Sequence, residues 1–272
     1  MIPSNLHTHS TFSDGANPPE EYVKAAIKSG FFSIGFSEHE PTTYKNPSEM
    51  LPENIPAYFN EINRLKQKYT GQIEIYAGIE TDVQGLLPRA EFKPDYIIGS
   101  VHHIKKPDGT YGPLDATPEK FETLIDAFGD VKKVMQLYYQ SLADTIKQKP
   151  DILGHFDLPT KFNSGNRYFD PAEEWYKNLI DSTINSLTNT GIIVEVNTGA
   201  ISRRYRKTPY PSEYILRELH KKNVTVTISS DAHSIENLTH SFTQSAALIR
   251  QAGYKSIKIL KNGRFTDYKL DR

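Results

Sequence analysis

The sequence predicts an α/β barrel, on three observations. Short apolar runs alternate with stretches of helical periodicity, the mark of β/α units. The length of 272 residues suits one large barrel-type domain or two small ones, and it is ample for a real core. Imidazoles and acids recur where apolar runs end, and in a parallel barrel all strand ends open onto one face. With no internal repeat or low-complexity linker, residues 1–272 read as a single domain.

The first strand is expected over Asn5–Thr11. Asn17 is expected to cap a helix opened by Pro18 and Pro19, with Val23, Ala26 and Ile27 buried and Gly30 at its end. Strand two covers Phe31–Ser37 and leads to Glu38 and His39. After a loop over 40–56, a helix buries Phe59, Ile62 and Leu65. Strand three, Ile73–Ile79, ends at Glu80, and strand four, Tyr96–Val101, ends at His102 and His103. Residues 105–117, with Pro107, Gly109, Gly112 and Pro113, read as a long loop of the kind that often serves as a lid. Two helices follow, over 118–128 and 131–147. Strand five, Asp151–Gly154, ends at His155, and a helix covers 171–189. Strand six, Ile192–Val196, ends at Asn197, and a helix covers 211–222. Strand seven, Val224–Ser229, ends at Asp231 and His233. A last helix over 235–252 leads to a strand over 257–260.

Composition narrows the function classes. A formal net charge of −1 and a pI near 6.8 argue against a basic nucleic-acid surface. There is no cysteine, which excludes disulfides and thiolate metal sites and fits a reducing compartment. Met1-Ile2-Pro3-Ser4 lacks the charged and apolar regions of a signal peptide, and no run is long enough to span a bilayer. A cytoplasmic location without membrane partners is the expectation.

The chemistry lies in the spacing of the histidines. His7 and His9 stand at i and i+2 on an extended segment, so both rings point the same way and can grip one cation. Asp14 follows in a turn within reach of the same pocket. Taken alone, a His-x-His pair carries little weight, and a single His at a strand end is more often a hydrogen-bonded loop residue. Seven of the nine histidines, however, sit at or just beyond a strand end: His7, His9, His39, His102, His103, His155 and His233. Glu80 and Asp231 close strands as well. Imidazole and carboxylate ligands without thiolate suit zinc, manganese or iron(II). The donors exceed the needs of one ion, and Glu80 is the candidate bridging carboxylate for two or three. Such a cluster suits metal-assisted hydrolysis at phosphorus.

These residues resemble the PHP family, named for polymerase and histidinol phosphatase. The likeness runs in order through Leu6-His7-Thr8-His9-Ser10, Asp14-Gly15, Ser37-Glu38-His39, Gly78-Ile79-Glu80, Gly99-Ser100-Val101-His102-His103, Gly154-His155 and Ser229-Ser230-Asp231-Ala232-His233. It implies a distorted (β/α)7 barrel with a trinuclear metal site of Zn, Mn or Fe. By position, the first ion would take His7, His9, Glu80 and Asp231, the second Glu80, His102 and His155, and the third Asp14, His39 and His233. His103 is not carried over and reads as a packing or hydrogen-bonding residue.

Within the family the chain is similar to the stand-alone histidinol-phosphate phosphatases of histidine biosynthesis. The likeness rests on His39-Glu40-Pro41, Gly154-His155-Phe156-Asp157-Leu158, Lys161-Phe162, Glu195-Val196-Asn197-Thr198-Gly199, Arg203 and Tyr210-Pro211-Ser212. Lys161 is a departure, since relatives tend to carry Arg there; a Lys brings charge without the bidentate fork. The resemblance implies hydrolysis of the small monoester L-histidinol phosphate by a hydroxide held between ions, in line at phosphorus. Lys161 and Arg203 would neutralise the equatorial oxygens, and Glu40 and Asn197 complete the candidate substrate-binding set. Glu80, Asp231 and His233 are the candidate catalytic residues, the last two among possible proton donors to the leaving alkoxide. Glu40, Asp108 and Asp115 qualify by position to read a substrate ammonium. Rival readings are an esterase or exonuclease acting on other phosphate esters or nucleic-acid ends, and a non-catalytic metal-bound scaffold. The first would want a basic, aromatic groove, and the second would be expected to have lost ligands.

Overall fold

The computed structural model describes residues 2–82 and 84–270. In chain order the elements begin β1 (Ser4–Asn5), α1 (Pro19–Lys28), β2 (Ser33–His39), α2 (Ile55–Lys68), β3 (Glu74–Thr81) and β4 (Tyr96–Gly99). There follow β5 (His103–Lys105), β6 (Tyr111–Pro113), α3 (Pro118–Phe128), α4 (Val131–Lys147), β7 (Ile152–Leu153), α5 (Glu174–Leu187) and β8 (Ile193–Asn197). The chain then runs through α6 (Gly199–Ser202), α7 (Glu213–Lys221), β9 (Val226–Ser229), α8 (Phe242–Gln251), β10 (Ser256–Lys261) and β11 (Arg264–Lys269).

Seven parallel strands pair in the order β1-β2-β3-β4-β7-β8-β9. The ring closes just past the ends of β1 and β9 through one bridge, where His9 N donates to Ala232 O at 2.9 Å and Ala232 N to His7 O at 3.2 Å. This is the distorted (β/α)7 barrel. Register sets the mouth: β2 and β3 pair His39 directly with Glu80.

The first strand is shorter than its sequence suggests. Past Asn5, Thr8 N bonds to the Ser37 side chain at 3.1 Å instead of to a carbonyl, so the ladder with β2 is interrupted. Asn17 does not cap α1; Pro18 occupies that position, and the Asn17 amide donates to Glu21 Oε2 at 2.8 Å. Much of the expected loop over 105–117 belongs to an antiparallel hairpin, β5–β6, that begins at His103. The last expected helix splits into a 3₁₀ turn at Ile235–Asn237 and α8. The C-terminal strand has an unforeseen partner, β11.

Inside the barrel Tyr96 fills the space left by two glycines. A Cβ on Gly78 would come within 2.2 Å of the Tyr96 ring, and one on Gly35 within 2.3 Å of its hydroxyl. Tyr96 OH donates to the Leu6 and Phe36 carbonyls, so the ring ties β4 to β2 and to the start of the His7 segment. Where the strands begin, Leu260 and Phe265 of the terminal hairpin cover Leu6, Ile152 and Ile193. The outer layer packs amphipathic helices, with Tyr58, Ile62 and Leu65 of α2 and Tyr138, Tyr139 and Leu142 of α4 buried. Among the described residues no helix is long and apolar enough to cross a membrane.

Candidate metal centre

The open end of the barrel gathers nine donor residues from six strand ends. His7 and His9 follow β1, their ring centroids 5.1 Å apart. The turn carrying Asp14 is anchored beneath by buried Glu38, which accepts from Ser10 N at 3.1 Å, Ser10 Oγ at 2.6 Å and Ser13 Oγ at 2.5 Å. Ala16 N donates to His233 O at 2.8 Å, which brings the Asp14 turn against the segment after β9. Asp231, at φ +49°, holds the left-handed backbone that most side chains avoid.

Glu80 lies at the centre, with its two oxygens facing different imidazoles. Oε1 is 3.1 Å from His155 Nε2 and 3.4 Å from His102 Nε2, and it accepts from Ser100 Oγ at 2.6 Å. Oε2 is 2.9 Å from His39 Nδ1, 3.3 Å from His7 Nε2 and 3.5 Å from His9 Nε2. Asp231 Oδ1 approaches His9 Nε2 at 3.4 Å and His7 Nε2 at 3.7 Å. Asp14 Oδ1 lies 3.2 Å from His233 Nε2 and 3.8 Å from His39 Nε2.

Three sets of donors converge closely enough to hold an ion: His7, His9 and Glu80; His39, Glu80 and His102; and His9, Asp14, His39 and His233. These overlap the ligand sets that the resemblance implies, with His9 and His39 each shared between two sets. His155 Nε2 stands 3.1 Å from His102 Nε2 and so faces the second set.

The donors fit a cation on chemical grounds. His7 Nε2 and both ring nitrogens of His9 are buried without a hydrogen-bond partner. Buried polar atoms left unpaired are costly, and positive charge among them relieves that cost. The electrostatics agree. Burial favours a neutral Glu80, yet His7, His102 and His39 hold it well below the usual carboxylate range. Asp14 and Asp231 are depressed against burial too, Asp14 by its bond to His233 and Asp231 by Arg203. Burial also opposes a proton on His102, but Glu80 and Asp82 raise its pKa to about 10. His9 is pushed down to about 3 by burial and by His39 and His233.

Behind the donors lies a layer that sequence reasoning missed. Buried Glu195 meets His7 Nδ1 at 2.5 Å, accepts from His155 N at 2.9 Å and takes a bond from Ser229 Oγ. Asp82 accepts from His102 N at 2.9 Å and from Tyr44 OH at 2.9 Å. Glu195 left a trace in the sequence: it is a lone acid inside the apolar run Ile193-Val194-Glu195-Val196.

The expected substrate-binding residues divide. Lys161 and Arg203 line the mouth cavity of about 510 Å³, together with His103 and Asp115. Arg203 pairs with Asp231 Oδ2 at 2.8 Å, and Lys161 Nζ reaches Asp115 O at 2.5 Å. Glu40 lies elsewhere: it is buried, accepts from Thr81 Oγ1 and from Leu87 N at 3.0 Å, and does not line that cavity. Asn197 is also committed, donating to Glu195 Oε2 at 2.9 Å and accepting from Gly199 N at 2.8 Å. It lies under the metal centre and not on its rim. Asp108, on the hairpin turn, is occupied by Thr110 and Lys106.

Comparison with known proteins decides the family. A family model described as the PHP domain matches residues 5–199. The chain belongs to the PHP-domain family. Asp231 and His233 of this chain lie beyond the matched span. A histidinol-phosphatase of Bacillus subtilis is 29% identical over 264 residues, covering 87% of this chain and 95% of its own. The DNA polymerase/3'-5' exonuclease PolX of the same organism is 24% identical over 97% of this chain and 40% of its own. Among solved structures, histidinol phosphate phosphatase from Lactococcus lactis, complexed with Zn, L-histidinol and phosphate, superposes with a TM-score of 0.73. It is 22% identical and covers 97% of this chain and 98% of its own.

Proposed function

We propose that this PHP domain is a metal-dependent phosphomonoesterase that hydrolyses L-histidinol phosphate to L-histidinol and phosphate, a step of histidine biosynthesis. The observation that carries this reading is Glu80, whose two oxygens face separate groups of imidazoles at the floor of a cavity rimmed by Lys161 and Arg203. A carboxylate that could bridge two ions, with two cationic side chains on the rim, suits a phosphoryl group. The named relatives supply the choice of substrate: two are histidinol phosphatases, and one of these is complexed with histidinol and phosphate.

In this reading His7, His9, Asp14, His39, Glu80, His102, His155, Asp231 and His233 hold three divalent ions, of zinc, manganese or iron. When bound, such ions polarise phosphoryl oxygens and lower the pKa of water. The chain does the rest. Arg203 stands on the rim with Nη2 2.8 Å from Asp231 Oδ2 and Nη1 3.3 Å from His233 Nδ1, and it adds positive charge to the cavity wall where charge would build on phosphorus. Lys161 supplies a second charge from the turn at Leu158–Phe162, with its Nζ 5.0 Å from the centre of the Tyr205 ring. Glu195 and Asp82 hold the rings of His7 and His102 in the orientation that presents Nε2 to Glu80. Water, Asp231 and His233 are the candidate donors of a proton to the leaving alkoxide.

The test is phosphate release by metal-reconstituted protein from L-histidinol phosphate, p-nitrophenyl phosphate and single-stranded DNA, with metal content measured on the same sample. Preferred turnover of histidinol phosphate supports the reading. Cleavage of DNA alone makes the protein a nuclease, and bound metal without any turnover makes it a scaffold.

A further inference from the structure

The Lys161 ammonium does not stand free at the rim. Its Nζ bonds to the Asp115 carbonyl at 2.5 Å and to Asp115 Oδ2 at 3.2 Å. The lysine side chain is 8% exposed and that of Asp115 is 26% exposed, so the pair sits half sheltered in the wall of the mouth cavity. Asp115 is held there by its neighbour: Leu114 is fully buried and its N–H donates to His102 O at 2.8 Å. The end of the β5–β6 hairpin is thereby fastened to the strand end that presents His102. A phosphate monoester entering this mouth meets a lysine already neutralised by a carboxylate, beside donors already rich in acids. For an ordinary monoester that is a poor arrangement. Drawing Lys161 onto the phosphate strands a partly buried carboxylate against an incoming anion.

One class of substrate resolves the conflict. In the phosphate ester of a vicinal amino alcohol, an ammonium sits on the carbon next to the one that bears the ester oxygen. Opposite charges then lie side by side in the substrate, as they do in the Asp115–Lys161 pair. We infer that Asp115 is the specificity-determining residue for the substrate ammonium, and that binding exchanges partners: Lys161 passes from Asp115 to the phosphoryl group while Asp115 passes to the ammonium. No charge is left unpaired in the exchange, whereas an amine-free ester leaves Asp115 without a counter-ion. Selectivity arises here through the penalty imposed on the wrong substrate. The inference rests on the phosphatase reading above and deepens it by naming the group that reads the substrate beyond phosphorus.

The experiment compares kcat/KM for L-histidinol phosphate and for its deaminated analogue, the alcohol phosphate lacking the amino group, in the wild type, Asp115→Asn and Asp115→Glu, all with equal metal content. In D115N the preference for the amine-bearing ester falls by about 10- to 100-fold. The loss lies mainly in KM for the amine-bearing ester, while kcat/KM for the amine-free ester rises as Lys161 is released. D115E restores part of the preference. If Asp115 only holds Lys161 in place, D115N lowers both substrates equally, and that result overturns the inference while the phosphatase reading stands. If the metal-loaded wild type hydrolyses neither ester, both readings fall together.

Discussion

His7 Nδ1 and Glu195 Oε1 lie 2.5 Å apart, both fully buried, on the side of the ring away from Glu80. Burial opposes a charged imidazole, but Glu195 and Glu80 raise the pKa of His7 well above its ordinary value. The same carboxylate accepts the backbone N–H of His155, so one side chain orients two of the donors. Glu195→Gln is therefore expected to lower metal affinity or activity by about 10- to 100-fold, as removal of such supporting carboxylates does. Metal content after dialysis, measured beside kcat, checks this. Full metal retention with wild-type turnover would show that Glu195 is dispensable.

Metal uptake should release protons. Glu80 and Asp82 raise the pKa of His102 to about 10, so at pH 7 it carries a proton that metal must displace, and neighbouring carboxylates shift His7 and His39 in the same direction. The sign follows: apparent affinity falls as pH drops, and binding at neutral pH delivers protons to the buffer. Titration calorimetry in buffers of different ionisation enthalpy reads the proton count directly. A chelator should abolish phosphatase activity and lower the Tm, with both restored by zinc, manganese or iron(II).

The glycines under Tyr96 make a prediction about stability. Gly78→Ala sets a methyl against the hydroxyl-bearing end of the buried Tyr96 ring, whose OH is held by two carbonyls and cannot swing aside. Overpacking of this kind costs about 1–3 kcal/mol or more. Thermal unfolding of the variant should show the drop, and a Tm equal to that of the wild type would mean that the barrel interior yields without strain.

Arg206 and Asp157 form a buried pair outside the metal centre, with Nη1 3.4 Å from Oδ2 and the guanidinium stacked 4.3 Å from the centre of the Tyr210 ring. Arg206 also donates to Thr160, and Asp157 accepts from Ser212 N at 3.1 Å, so the segment that carries Lys161 is joined to the one that carries Arg203. Arg206→Met leaves Asp157 buried without its cation, at a cost of about 3–5 kcal/mol. Denaturant unfolding measures it, and Asp157→Asn in the R206M background should recover part of the loss.

The sequence alone determined the barrel and the residues at its mouth. Alternating apolar and amphipathic stretches are local properties of the chain, and a parallel α/β ring is the arrangement that buries both. Helices α3 and α4 fall where periodicity puts them. His39, Glu80 and His102 stand out because polar groups break off apolar runs at strand ends. Tertiary structure alone decided which acid faces which base. Glu40 and Asn197 look like rim residues in the text, yet Thr81, Leu87, Glu195 and Gly199 claim their polar atoms. Glu195 reads as part of a strand until the fold sets it against His7, 188 residues away in the chain. Asp115 acquires its meaning only beside Lys161. Hydrogen bonds and ion pairs between distant segments depend on distances that no local pattern encodes, so the partners of the buried charges appear only once the barrel has closed.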